Sequence, residues 1–311
     1  MLSVQSVSHG YDRLILSEIN FSVKQGEIVS IVGRSGAGKS TLLKIIAGKI
    51  MPEKGDVFLE MEQVTKQRLI AGHSEIGLVN QDFKLDEFHS VEENIRLQIL
   101  HLKDKIRDKF IEELLSLVGL TALRSQQARL LSGGEQQRLA IARMLAKEPK
   151  LILLDEPFSH LDQLLRNKLI NYLLDLVQIR SVSIILVSHD GAEVLGLSDK
   201  VYFLKNGKLK YKGTPFKLYY HSKTLEEGRM FGPLNSVKIG EKRILFRPDE
   251  FTEEVVGNGI HMDVVFEKSI FNGILFENHF LTSNKEKVVL YQFNSMKNTR
   301  TIYVQFKNKK A

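Results

Sequence analysis

The chain has no cysteine, which excludes disulfides and thiolate-bound metal and fits a reducing, cytoplasmic location. No stretch approaches the roughly 18 consecutive apolar residues that a membrane helix needs. The first residues, Met1-Leu2-Ser3-Val4-Gln5-Ser6, lack the basic segment and apolar run of a secretory signal, and none is expected. Basic runs interleaved with aromatics, of the kind that stacks bases, are also missing. The formal net charge is +7 and the pI about 9.3, but the lysines are spread along the chain. No nucleic-acid partner is therefore expected, and a basic face near an anionic inner leaflet accounts for the excess. What the chain does have is 311 residues, 43% of them hydrophobic, enough for one large domain and a smaller one.

The most informative segment is Gly33-Arg34-Ser35-Gly36-Ala37-Gly38-Lys39-Ser40-Thr41, a complete G-x-x-x-x-G-K-[ST] P-loop. Before it, Glu27 to Val32 reads as a buried strand; after it, Leu42, Leu43, Ile45 and Ile46 recur at helical spacing up to Gly48. In that setting the glycines let backbone N–H groups wrap phosphates, the helix N-terminus favours their charge, and Lys39 adds a point charge. Ser40 would offer its hydroxyl to magnesium. Further on, Leu151-Ile152-Leu153-Leu154-Asp155-Glu156-Pro157 is an apolar run ending in two carboxylates. That pattern fits a buried parallel strand whose tip faces a nucleotide, the Walker B position. Asp155 would then orient magnesium, and Glu156 would act as base or water-positioning group where a water attacks the γ-phosphate.

Between these lies Leu131-Ser132-Gly133-Gly134-Glu135-Gln136-Gln137-Arg138, followed by a helical pattern. Alone it is a loop before a helix, physically a second anion site. Beside the other two motifs it closely resembles the signature motif of the ATP-binding cassette (ABC) family. The resemblance implies that two copies pair head to tail, with Ser132, Gly133 and Gly134 of one closing over ATP held by Lys39 of the other. It also implies roles for four more positions. Tyr11 matches the aromatic that stacks on adenine, with a strand-edge aromatic as the alternative. Gln81 matches the Q-loop glutamine, which reaches magnesium and the attacking water and lies near the membrane partner. Asp162, in Ser159-His160-Leu161-Asp162, matches the D-loop residue that helps set the opposing site. His189, at the tip of the apolar run Ser183 to Ser188, matches the switch histidine that contacts the γ-phosphate; a lone histidine is otherwise more often structural.

The expected fold is therefore α/β: a P-loop NTPase of ABC type with an antiparallel β layer and a helical subdomain, followed by a small all-β, OB- or TOBE-like domain. Strands are expected near Leu2 to Ser8 and Ile19 to Val23, a helix over Leu164 to Val177, and a hairpin around Asn206-Gly207. The nucleotide-binding domain is assigned to 1–213, with its helical subdomain at about 82–145. The linker is placed at 214–238, marked by Gly213 and Pro215, and the β domain at 239–311; Gly213 to Tyr219 and Phe231 to Asn235 resemble the segment that joins the nucleotide-binding domain to an accessory domain in binding-protein-dependent importer ATPases. Strands are expected there over Arg243 to Arg247, Ile260 to Phe266, Ile270 to Phe276, Lys287 to Phe293 and Thr299 to Phe306. Lys307 to Ala311 reads as a solvated end. Phe246-Arg247-Pro248-Asp249 resembles the Arg-Pro-Glu element that opens the TOBE barrel of binding-protein-dependent importer ATPases.

The resemblance thus implies a homodimeric ATPase subunit on the cytoplasmic face of the membrane, beneath a separate permease and served indirectly by a solute-binding protein. The import direction rests on the tail and linker, so the same core leaves an exporter subunit open. A tail of roughly 70 residues holds one barrel, whereas sugar-importer relatives commonly carry two such lobes, which makes a sugar cargo less favoured. A soluble ABC ATPase acting on DNA or ribosomes is disfavoured by the absence of a coiled-coil insertion or second cassette. A module that binds ATP without turnover is disfavoured by Glu156 and His189.

Overall fold

The computed structural model describes residues 1–65, 72–80, 82–254 and 260–306. Gln81 and the end Lys307 to Ala311 lie outside the described residues. The chain divides into two compact units, Met1–Lys212 and Gly213–Ala311.

The strands of the first unit are β1 (Leu2–Gly10), β2 (Leu14–Val23), β3 (Ile28–Val32), β4 (Lys54–Leu59), β5 (Glu62–Gln63), β6 (Ile76–Val79), β7 (Leu151–Asp155), β8 (Ser183–Ser188), β9 (Lys200–Lys205) and β10 (Lys208–Gly213). Its helices are α1 (Lys39–Ile46), α2 (Val91–Arg96), α3 (Asp104–Leu117), α4 (Gly133–Leu145) and α5 (Gln163–Arg180). Four strands form an antiparallel layer in the order β2-β1-β4-β5, and six form a second sheet, β10-β9-β3-β8-β7-β6. Within the second sheet β9, β3, β8, β7 and β6 run parallel.

Every residue of β3, β7 and β8 is buried, because both faces of the sheet are covered. Along β7 the side chains alternate between two cores, as a period of two requires. Leu151 and Leu153 join the core that holds α1 and the antiparallel layer, while Ile152 and Leu154 join the core formed with α2 to α5. Parallel strands bring their C-terminal ends to one edge, so the P-loop after β3, the carboxylates ending β7 and His189 after β8 all emerge together.

The helices lie largely where periodicity puts them. Gly119, at φ 65°, ends the α3 run, with the Leu120 amide donating to the Leu115 carbonyl at 2.9 Å. α5 runs longer than the apolar stripe indicates, since Asp162 caps its start through the Leu165 amide at 2.9 Å. Asn206-Gly207 turns β9 into β10, both residues at positive φ.

The second unit holds α6 (Pro215–Tyr220), α7 (Leu225–Met230), β11 (Asn235–Ile239), β12 (Lys242–Phe246), β13 (Phe251–Thr252), β14 (His261–Phe271), β15 (Phe276–Thr282), β16 (Lys287–Gln292) and β17 (Arg300–Val304). Residues 214–238, expected as a linker, are folded: they form α6, α7 and most of β11. Pro215 stands in the first turn of a helix capped by Thr214, where its missing N–H costs nothing. The expected strand from Ile270 to Phe276 is instead the tip of the β14–β15 hairpin. The Asn272 side chain accepts the Ile274 and Leu275 amides at 3.2 and 2.9 Å, and Gly273 takes φ 97°.

The five-stranded sheet β13-β17-β14-β15-β16 is antiparallel and curls around a core that includes Phe246, Val264, Phe280, Val288, Leu290 and Ile302. One short segment bridges its two ends. The Pro248 carbonyl accepts from the Tyr291 amide at 2.9 Å, beside β16, and the Glu250 carbonyl accepts from the Gln305 amide at 3.0 Å, beside β17. The β11–β12 hairpin joins through Asn235, whose amide group makes two 2.8 Å bonds with the Val289 backbone.

Candidate active site

The turn after β3 is shaped by two glycines. A Cβ on Gly33 would fall 2.4 Å from the Leu204 carbonyl oxygen, and Gly38, at φ 101°, admits no other residue without strain. A methyl there would also meet Leu16 Cδ2 at 2.9 Å. Between them Arg34, Ser35 and Gly36 are exposed, and the Ala37 amide donates to the Arg34 carbonyl at 3.2 Å. α1 starts directly from this turn without a side-chain cap, leaving its first amides directed at the loop. Ser40 and Thr41 in its first turn are half-buried.

Lys39 folds back on the loop, donating from Nζ to the Gly33 and Arg34 carbonyls at 2.8 and 3.2 Å. Burial lowers its pKa, while the charges of Glu156 and Asp155 pull it back up. Asp155, at the end of β7, is 4% exposed. Burial raises its pKa most, a hydrogen bond with Ser40 opposes this, and nearby Glu156 raises it further. Its Oδ2 is buried without a hydrogen-bond partner among the described residues. The fold thus joins Lys39, Ser40, Asp155 and Glu156 from two elements far apart in sequence.

Glu156 turns the chain out of β7 at φ 50°, a left-handed conformation unusual for a residue with a side chain. Its amide donates to the Val187 carbonyl on β8 at 2.9 Å. Its Oε1 lies 2.9 Å from Nδ1 of His189, which donates to it. The loop bearing His189 is braced by Ser188, whose hydroxyl donates to Glu193 Oε2 and accepts the Asp190 amide, both at 2.9 Å.

Ser132 is the N-cap of α4 in a reciprocal capping box: the Glu135 amide donates to Ser132 Oγ at 3.4 Å, and the Ser132 amide donates to Glu135 Oε2 at 2.8 Å. The Ser132 bonds lower the Glu135 pKa. Ser132 and Gly133 are exposed, and a methyl on Gly134 would approach His160 Cβ to 3.3 Å. Tyr11, between β1 and β2, is 64% exposed and packs edge-on against His9 at 5.0 Å.

Beside Gln81, Asp82 pairs with Lys44 of α1 at 3.3 Å, and Arg143 of α4 holds the Lys84 carbonyl at 2.7 Å and Asp86 at 2.8 Å. Gln137 of α4, a residue that no motif singles out, donates to the Glu156 carbonyl at 3.0 Å. The available signal was a polar residue on the register of Ile141 and Met144, the buried side of α4.

A strand, a glycine turn and a helix N-terminus at the carboxyl edge of a parallel sheet, with acid groups beside a buried lysine, define a P-loop nucleotide-hydrolysing protein. Residues 16–159 match the ABC transporter family. Among curated proteins, the chain is 38% identical over 208 residues to a probable sulfate/thiosulfate import ATP-binding protein, CysA, of Chlorella vulgaris, spanning 66% of this chain and 87% of that one. It is 34% identical over 252 residues to the spermidine/putrescine import ATP-binding protein PotA of Bacillus anthracis, 80% of this chain and 76% of that one. Among solved structures, the ATP-binding cassette MJ0796 in its dimeric post-hydrolysis state with ADP and Pi superposes with TM-score 0.63 at 29% identity, covering 69% of this chain and 99% of that one. The chain belongs to the ABC transporter family. It is an ATP-binding, ATP-hydrolysing subunit.

Proposed function

We propose that this protein drives import of a small solute by closing and reopening a head-to-tail pair of its own copies on two ATP molecules. The observation that carries the chemistry is the 2.9 Å contact of Glu156 with His189 at the sheet edge that also holds Lys39 and Asp155. In this reading Gly33 to Thr41 wrap the phosphates, with Lys39 exchanging its loop carbonyls for phosphate oxygens. Glu156 takes the proton of the attacking water, and His189 orients Glu156 and contacts the γ-phosphate. Tyr11 stacks on adenine. Ser132 to Gly134 and Asp162 act on ATP held by the opposite copy, and Gln81 serves the water and the metal.

The Ser40 hydroxyl and Asp155 carboxylate fit magnesium: both are hard oxygen donors, they lie in hydrogen-bond reach, and Asp155 Oδ2 is otherwise buried without a partner. Bound there, the metal would neutralise charge on the phosphates. Pairing as a dimer is supported by the dimeric cassette it resembles, and import by the names of the two curated relatives. Those relatives carry an anion and a polycation, so the cargo is best assigned to a separate permease and solute-binding protein. Among the described residues no helix is long and apolar enough to cross a membrane, in keeping with a peripheral position on the cytoplasmic face through that permease. The curled sheet of the second unit, opened by Arg247-Pro248, is read as TOBE-like.

The test is steady-state hydrolysis and nucleotide affinity on two variants. Glu156→Gln keeps shape and phosphate contacts and should bind ATP normally while losing about 100-fold or more in turnover. Lys39→Ala should weaken ATP binding itself. Near-normal turnover in Glu156→Gln overturns the assignment.

A further inference from the structure

The left-handed backbone of Glu156 persists only because its surroundings hold it. Its amide is fixed by β8, through the Val187 carbonyl at 2.9 Å. Its carbonyl accepts from the Ser159 amide at 3.4 Å and Ser159 Oγ at 3.0 Å, both in the loop that follows, and from Gln137 Nε2 at 3.0 Å, the one donor of the three that comes from α4. Gln137 is 3% exposed and its Oε1 is buried without a partner among the described residues. The opposite amide orientation would set two oxygens 3.0 Å apart, so the donor must face Glu156. A buried acceptor is left unpaired while the donor makes one bond, and that bond ends on the peptide whose side chain faces His189. The same helix is capped at its start by Ser132.

We propose that Gln137 is a positioning residue for hydrolysis: by holding the Glu156 carbonyl, it ties the aim of that carboxylate to the placement of the signature helix in the same copy. When α4 moves, the peptide plane of Glu156 moves with it, and the carboxylate leaves its line to the water. The proposal rests on Glu156 as the group that takes the water's proton.

The experiment measures kcat, KM for ATP, ATP affinity and thermal midpoint on the full chain. Gln137→Met keeps length and apolar bulk but removes the donor. Its kcat should fall about 10- to 100-fold, the cost of a misplaced catalytic group, with KM and affinity within about two-fold. Added to Glu156→Gln, it should cause no further loss, because both act on one step. Gln137→Glu keeps the shape, and its turnover relative to the original protein should rise as pH falls, since only the protonated acid can donate to the carbonyl; this variant decides the matter if Gln137→Met does not fold. Turnover of Gln137→Met within two-fold of normal, a full additional loss in the double variant, affinity falling in step with kcat, or a pH-independent ratio for Gln137→Glu overturns the proposal. A nearly inactive Glu156→Gln beside a normal Gln137→Met sinks this proposal alone, whereas an active Glu156→Gln sinks the reading beneath it.

Discussion

Arg247→Met should melt the second unit and spare the nucleotide site. Arg247 is 0% exposed, and its guanidinium donates to four backbone carbonyls: Tyr219 at 2.7 Å, Gly228 at 2.9 Å, Gly232 at 3.0 Å and Pro233 at 2.9 Å. It also lies 4.0 Å from the centre of the Tyr219 ring. The carbonyls of Tyr219 and Gly228 belong to the last turns of α6 and α7, where helices leave acceptors without an i+4 amide. Methionine would fill much of the volume but strand the Tyr219, Gly232 and Pro233 carbonyls, while the Gly228 carbonyl keeps the Phe231 amide at 3.1 Å. Each dry, unpaired carbonyl costs roughly 1–3 kcal/mol. Relief of the buried charge and partial rehydration offset part of that, leaving on the order of 3–5 kcal/mol. For a unit of this size each kcal/mol moves the melting point by about 4–8 °C, so a shift of roughly 12–40 °C is expected. Calorimetry on the full chain should show one transition displaced downward by that amount, with ATP affinity unchanged because Gly33 to Thr41, Asp155 and Glu156 lie within Met1–Lys212. A shift below about 4 °C would refute the reasoning on the carbonyls. Loss of ATP affinity would refute the independence of the two units.

Three further outcomes are expected. Tyr11→Ala should weaken ATP binding about 5- to 100-fold, the worth of one base–aromatic stack, while leaving inorganic triphosphate binding unchanged; equal loss for both ligands in competition titrations would remove Tyr11 from the adenine site. In a Glu156→Gln background, ATP and magnesium should convert monomer to dimer by light scattering, and Ser132→Arg should abolish the shift at a cap cost of only about 1 kcal/mol. A Ser132→Arg protein that still dimerises would detach the signature loop from the opposing site. Glu92 is held at a pKa of about 2, against 4.5 for a free side chain, chiefly by the Arg124 hydrogen bond and also by Arg96. A depressed carboxyl contributes stability that is complete above the unfolded pKa and is lost as pH falls through the folded one. Denaturant titrations between those two pH values should therefore show Glu92→Gln losing its disadvantage as the solution is acidified; a constant difference across that range contradicts the pairing.

Much of the first unit was legible because its signals are local. A run such as Leu151 to Leu154 is buried on both faces, and an apolar run with acids at its end says where the strand stops and which end faces ligand. Ser132-Gly133-Gly134 before a helical pattern marks a helix start, and the structure adds that Ser132 and Glu135 close a capping box there. Glycine at 33 and 38 is required by the turn itself. Elsewhere the local signal is ambiguous: Gly213 and Pro215 suit a linker, but Pro215 also suits the first turn of a helix, and Asn272-Gly273 marks a hairpin tip inside an apolar stretch.

Sequence therefore determined the phosphate loop, the buried strands with their acidic tip, and the helix starts, all set by neighbours within a few residues and by a burial period that the order of apolar residues displays. Only the tertiary structure decided that Glu156 meets His189, that Gln137 holds the Glu156 carbonyl, and that Arg247 gathers four carbonyls from the segment before β12. Periodicity can say that a side chain is buried, but not which donor will face it. A hydrogen bond is short and directional, so its partner is fixed only when folding brings together segments that the chain keeps apart.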